Sequence, residues 1–238
     1  MNTKMKVLSL ALIGAFGYVG AASAACPSSA VPPWSSKSDV GGSLAISSPG
    51  YDGTECKLDA ALTSAAFGSA FVRDDSPDSE ERYRARFFVN TDALAGLNVA
   101  QSVRVFSANA ETPHSDVSEV VRVSVFGNVA GTQQSLAVVA GCDGVAGNVC
   151  STNIPLSGAG PHTVQIEWVK GASGEINVWV DNADEANPDE TLTGNTDGWV
   201  VDYAVLGLST PSAGFRANQL NNVVSFDQFD SRRTSFID

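Results

Sequence analysis

Apolar and polar residues alternate one by one through much of this chain, and a period of two is met only by β-strands that bury one face. Tyr83, Ala85, Phe87 and Val89 fall on one side of a run whose other side carries Arg84, Arg86 and Phe88. The same reading covers Val103–Ser107, Val121–Phe126, Leu136–Val139, Thr163–Val169, Glu175–Val180, Tyr203–Leu208 and Val223–Phe229. Ser43–Ser47, Cys56–Leu62 and Ala70–Arg73 join them near the start, which makes roughly eleven strands and points to a sandwich or jelly roll. Gly171-Ala172-Ser173-Gly174 separates two strongly alternating runs and predicts a hairpin, so those strands should be neighbours. In the closing strand, Val224 and Phe226 are expected on one side, with Ser225, Asp227 and Phe229 on the other.

The first 24 residues have the layout of a secretory signal: Lys4 and Lys6, an apolar run from Val7 to about Val19, then Ala22-Ser23-Ala24. A mature chain of one domain, residues 25–238, is expected to be exported to the periplasm, the cell surface or the medium. Lipidation at Cys26 is disfavoured because Ser23 stands where a lipobox needs an aliphatic residue. No later stretch approaches the roughly 20 consecutive apolar residues of a membrane-spanning helix, so no transmembrane segment is expected in the mature chain. Without its leader the chain's formal net charge falls from −12 to −14. Such a surface repels nucleic acid.

Cys26, Cys56, Cys142 and Cys150 are an even set in a compartment that permits disulfides. Proximity favours pairing Cys26 with Cys56 and Cys142 with Cys150. Zinc is the weaker reading, since no C-x-x-C occurs and His114 and His162 lie far apart in sequence.

Several segments together resemble the strand order of laminin G-like, concanavalin-type jelly rolls found in secreted bacterial proteins. They are residues 71–77, 81–87, 162–168 and 177–181 and the closing Ser225-Phe226-Asp227-Gln228-Phe229-Asp230-Ser231-Arg232-Arg233. The resemblance spans about residues 43–237. It implies an all-β, two-sheet antiparallel jelly-roll sandwich, here with two disulfides. The superfamily holds lectins, adhesive modules and glycoside hydrolases, so fold alone leaves function open. The Glu-x-Asp-x-x-Glu strand of its laminarinase-like hydrolases is absent.

Glu167 and Glu175 flank the predicted hairpin and are the best available carboxyl pair for a glycosidase, though at offset heights. Gly41-Gly42-Ser43-Leu44-Ala45 misses the nucleophile elbow at its last position, and no phosphate-binding or dinucleotide glycine loop occurs. Calcium is a candidate ligand for the acidic loops Asp74–Glu81 and Asp181–Asp197, which do not follow EF-hand spacing.

If the strands from Glu81 to Asp181 lie side by side as a meander, one polar face gathers Arg84, Arg86, Arg104, Arg122, Gln165, Glu167, Asn177 and Trp179. Trp168 is read as core. Trp179, with Asn177 and the four arginines, is then the expected contact surface for a sugar ring or an anion. The expected function is a secreted, non-catalytic module that binds glycan or a cell-surface protein partner. The alternatives are a glycan-cleaving hydrolase with an unrecognised carboxylate pair and a structural or adhesive envelope component.

Overall fold

The alternating segments fold as antiparallel strands in two seven-stranded sheets. The computed structural model describes residues 26–31 and 33–237, and the expected leader lies outside them. In chain order the strands are β1 (Ser36–Ser38), β2 (Gly42–Ser47), β3 (Lys57–Leu62), β4 (Ala70–Asp74), β5 (Arg82–Asn90), β6 (Ser102–His114) and β7 (Val117–Gly127). They continue with β8 (Gln134–Gly141), β9 (Val149–Pro155), β10 (Pro161–Val169), β11 (Gly174–Val180), β12 (Glu190–Gly194), β13 (Tyr203–Ser209) and β14 (Val224–Arg232). One sheet runs β1-β4-β13-β6-β7-β8-β9 and the other β12-β11-β10-β5-β14-β3-β2. This is a jelly-roll sandwich.

The expected meander is interrupted. After β5 the chain crosses to the first sheet for β6 to β9 and returns to the second as β10, which pairs with β5. Period two fixes which face each residue uses, but the choice of sheet depends on long-range pairing that local pattern does not encode. The hairpin between β10 and β11 forms as expected, with Gly174 N–H donating to the Gly171 carbonyl.

The core is where the apolar faces meet. Tyr83, Ala85, Phe87 and Val89 of β5 are all buried, as is Trp168 of β10. Phe87 stacks on Phe106 of the opposite sheet with ring centroids 5.2 Å apart, a contact that adds about 1 kcal/mol beyond its area burial. At Gly207 of β13 the backbone takes φ +126, and a side chain there would run into the Ala70 carbonyl.

β14 departs from simple alternation. Its register to β5 slips between Asp227 and Asp230, and Gln228 sits at φ +47. This bulge carries Phe229 toward the core, where it meets Trp34 at 4.9 Å and Phe106 at 6.4 Å, although sequence parity placed it on the side away from Phe226. The one α-helix among the described residues, α1 (Ala213–Asn218), is too short for a period to register. Ser212 caps it by accepting from Phe215 N–H, and Phe215 is buried.

Both expected disulfides form. Cys26–Cys56 pins the N-terminal segment beside β3 and Cys142–Cys150 joins the end of β8 to β9. Their sequence separations are 30 and 8. Loop-closure entropy then gives about 3.6 kcal/mol for the first and about 2.5 kcal/mol for the second. Urea unfolding of Cys26→Ser/Cys56→Ser and Cys142→Ser/Cys150→Ser variants should therefore show the larger loss for the long loop, by about 1 kcal/mol. The reverse order would mean that the short loop acts by shaping the folded edge and not by limiting the unfolded chain.

Candidate functional site

The outer face of the second sheet carries the chemistry, because β5, β10, β11 and β12 place their polar residues there in register. One rung reads Arg84, Glu167, Asn177 and Thr191 across the four strands, and the next reads Arg86, Gln165 and Trp179. Thr191 Oγ1 donates to Asn177 Oδ1 at 2.7 Å, and Asn177 Nδ2 donates to Glu167 Oε2 at 3.4 Å. Arg84 Nε donates to Glu167 Oε1 at 2.9 Å, while its Nη2 reaches Glu185 Oε1 at 2.9 Å. Arg82 Nε also donates to Glu167 Oε1, at 2.6 Å.

The Arg84–Glu167 pair is buried, with side chains 2% and 6% exposed. Burial by itself would raise the Glu167 pKa, but hydrogen bonds and charge from Arg84 and Arg82 outweigh it and hold the carboxyl below its ordinary value. Burial likewise opposes the Arg84 charge, and Glu167 with Glu185 overcomes it, leaving the guanidinium more basic than usual. A carboxylate committed to two arginines is a poor proton donor. Glu175 faces Val169 one pleat away and is exposed. The offset Glu167–Glu175 pair therefore does not make a hydrolase acid and nucleophile.

A small cavity of about 240 Å³ opens at the Arg86 rung, lined by Arg86, Thr163, Gln165, Asp181, Asn182, Ala183 and Ile237. Asp181 lies just past the end of β11 in the left-handed region, φ +56. Its Oδ1 accepts from Thr163 N–H at 2.8 Å and its Oδ2 is 2.7 Å from His162 Nδ1. Positive φ at a non-glycine residue is uncommon and clusters at functional sites. Two donors on this face, Arg84 Nη1 and Gln165 Nε2, are buried without a hydrogen-bond partner among the described residues.

The structure divides the expected contact surface. Arg84, Arg86, Gln165, Glu167, Asn177 and Trp179 share one face, whereas Arg104 of β6 and Arg122 of β7 belong to the other sheet. There both arginines pair with Glu119, at 2.7 and 3.0 Å, and burial draws the Arg104 pKa down. Trp179 lies on the expected face but is covered: the residue is 2% exposed and its indole donates to the Asp184 carbonyl at 2.9 Å. It meets the Phe236 ring edge-on at 5.3 Å. The loop after β11 and the segment after β14 cover it, and neither is foreseeable from strand parity. The Asp181–His162 pair was missed because it depends on where β11 ends, and Phe236 and Ile237 because no pattern links a chain terminus to a distant strand.

Elsewhere, His114 Nε2 lies 2.8 Å from Asp143 and its ring stands edge-on to Trp199. The acidic loops are held by their own neighbours: Asp74 by Ser76, Asp75 by Arg73, Asp184 by Ala186 and Asn187, and Asp189 by Val180 N–H. Among the described residues no group of three or more His, Cys, Asp or Glu side chains gathers as a metal site. A larger cavity, about 570 Å³, lies by the β14 bulge between Trp34, Leu58, Leu206 and Phe226. Two of its charged groups are engaged elsewhere, Lys57 with the Pro49 carbonyl and Asp230 with Arg232.

No protein-family model matches the sequence, and no curated protein matches it. Solved structures do share the architecture. An endo-β-1,4-glucuronan lyase from the fungus Trichoderma reesei superposes with TM-score 0.60 at 15% identity, over 86% of this chain and 92% of that one. The alginate lyase from Klebsiella pneumoniae gives 0.52 at 10%, over 81% and 84%. A carbohydrate esterase from the Shiga toxin-encoding bacteriophage phi24B gives 0.52 at 13%, over 84% and 90%. At these identities the likeness is one of fold, and it supports a jelly-roll sandwich without singling out laminin G-like domains. It also corrects the expected non-catalytic module. Solved glucuronan and alginate lyases share the architecture, so the fold does not carry the expected non-catalytic reading.

Glu167 titrates lower in the folded chain than in the unfolded one, so the unfolded chain takes up the proton first as pH falls. Its contribution to stability is therefore complete above the ordinary value of 4.5 and is lost as pH drops through the depressed folded value. Glu167→Gln should cost on the order of 3 kcal/mol at neutral pH by leaving Arg84 short of a partner. Urea titrations of both proteins between neutral and acidic pH should begin to converge below 4.5, and a gap that stays constant would show that the cost does not come from the ionised carboxylate.

Proposed function

We propose that the protein is a glycan-cleaving enzyme that breaks acidic, uronate-bearing polysaccharide by β-elimination on the outer face of the second sheet. The observation that carries this reading is the meeting of Arg86, Gln165 and Asp181 in one cavity. A uronate carboxylate there can accept from the Arg86 guanidinium and the Gln165 amide. Those contacts stabilise the charge that develops when the proton on C5 is withdrawn. Asp181, held by Thr163 N–H and His162, is the carboxylate that lines the same cavity and can take that proton. The C5–H and C4–O4 bonds break, C4=C5 forms, and the proton passes to the departing O4. The lyase architecture adds support from fold.

Two disulfides and the leader-like first 24 residues support export, with residues 25–238 working as one domain. The laminin G-like resemblance is kept as a likeness of strand order. Among the described residues no helix is long and apolar enough to cross a membrane.

Ultraviolet absorbance of the unsaturated uronate end, followed on glucuronan, alginate and a neutral glucan with calcium or with chelator, tests the reading. Product should accumulate from a polyuronate alone, and Asp181→Asn should lower kcat by about 100-fold or more. No absorbance and no new reducing ends on any substrate would overturn it.

A further inference from the structure

We infer that the C-terminal segment, residues 234–237, is a resident plug that lies in the glycan-binding position of this face and swings aside when an acidic sugar chain docks. The inference rests on the site reading proposed above and adds its regulation. β14 ends at Arg232, whose register partner on β5 is Arg84. Beyond that point the chain lies over the polar face. The Phe236 ring packs edge-on to Trp179 at 5.3 Å, and the Arg84 guanidinium carbon sits 5.5 Å from its centroid. An aromatic ring and an arginine meeting across a flat hydrocarbon face is the setting in which a sugar ring stacks. Ile237, 3% exposed, walls the cavity that holds Arg86, Gln165 and Asp181.

The cover is poorly matched to what it covers. Arg84 Nη1 and Gln165 Nε2 are buried donors without an acceptor, and an apolar Phe-Ile pair offers neither of them an oxygen from its side chains. A cover that served only to close the face would satisfy the groups it buries. A uronate chain, with carboxylate and hydroxyl oxygens, supplies what the segment lacks. Glu185 already places one carboxylate on Arg84 Nη2 from the neighbouring loop. Among the described residues the hold on the segment is light. Arg233 pairs with Glu80 at its base, Arg232 Nη1 donates to the Phe236 carbonyl at 2.9 Å, and Thr234 and Ser235 between them are exposed or partly so. Few contacts and exposed backbone are the properties of a segment that opens locally.

The test is a full-length Phe236→Ser/Ile237→Ser variant, examined by acrylamide quenching of tryptophan fluorescence and by polyuronate cleavage. Quenching should increase, and the increase should vanish when Trp179→Phe is added. Cleavage should rise several-fold, mainly through a lower KM. In the unaltered protein, hydrogen exchange over residues 234–237 should accelerate when alginate or glucuronan is added at saturation, a measurement that does not depend on the variant folding. Unchanged quenching in a variant that still unfolds cooperatively would overturn the plug, as would exchange slowed or unaffected by the polysaccharide. If Trp179 becomes accessible while neither protein binds or cleaves any polyuronate, the segment is a cover and the enzyme reading falls. If both proteins cleave equally with Trp179 still shielded, the enzyme reading stands and the plug falls.

Discussion

β5 is the strand on which the molecule depends, because it serves both faces of its sheet at once. Its inward residues Tyr83, Ala85, Phe87 and Val89 lie in the common core, and Phe87 reaches across to Phe106 of the opposite sheet. Its outward residues Arg82, Arg84 and Arg86 form the spine of the polar face. Antiparallel partners on both sides, β10 and β14, leave it no freedom of register. A slip of one residue would drive three guanidinium groups into the core and lift Tyr83 and Phe87 into solvent. Core packing therefore sets the spacing of the arginines as strictly as any contact on their own side.

The same logic decides what could be read from the chain before folding. Strands buried on one face against the other sheet declare themselves through alternation, and those from β2 to β8, with β10, β11, β13 and β14, were legible. β1, β9 and β12 were not. Each is an edge strand, three of the four edges of the two sheets. An edge strand covers less of the core, so Ser36–Ser38, Val149–Pro155 and Glu190–Gly194 show mostly polar or partly buried side chains and little contrast between faces. Tertiary placement was the other blind spot. Arg104 and Arg122 have the same parity as Arg84 and Arg86 in their strands, yet the crossover after β5 sends them to the opposite side of the molecule. Arg84, Arg86, Gln165, Glu167, Asn177 and Trp179 were grouped correctly because they belong to strands that return to one another.

Electrostatics give the polar face its character. A chain of formal charge −12 keeps its arginines scarce, yet three stand on alternate positions of one strand, with one carboxylate, Glu167, shared between two of them. The surrounding acidic surface repels polyanions at long range, while salt confines that repulsion to about 10 Å. An anion docking there would therefore be recognised at contact distance, by geometry and desolvation, and not drawn in by steering. Arg84, below 3% exposure, is held by two carboxylates and still has a buried donor to offer.

The Cys142–Cys150 bridge lies where an edge of one sheet meets an edge of the other. β9 and β12 are those edges, and Gly194 of β12 sits so close to both sulfurs that a side chain there would collide with them. The Asp143–Asn195 bridge continues the seam. The disulfide itself joins β8 to β9 within one sheet, and the approach of Gly194 to its sulfurs lays the margin of the other sheet against it, like two pages at the spine of a book. Margins packed on each other in this way leave a second molecule less room to lay down a strand, the hazard that open sheet edges carry.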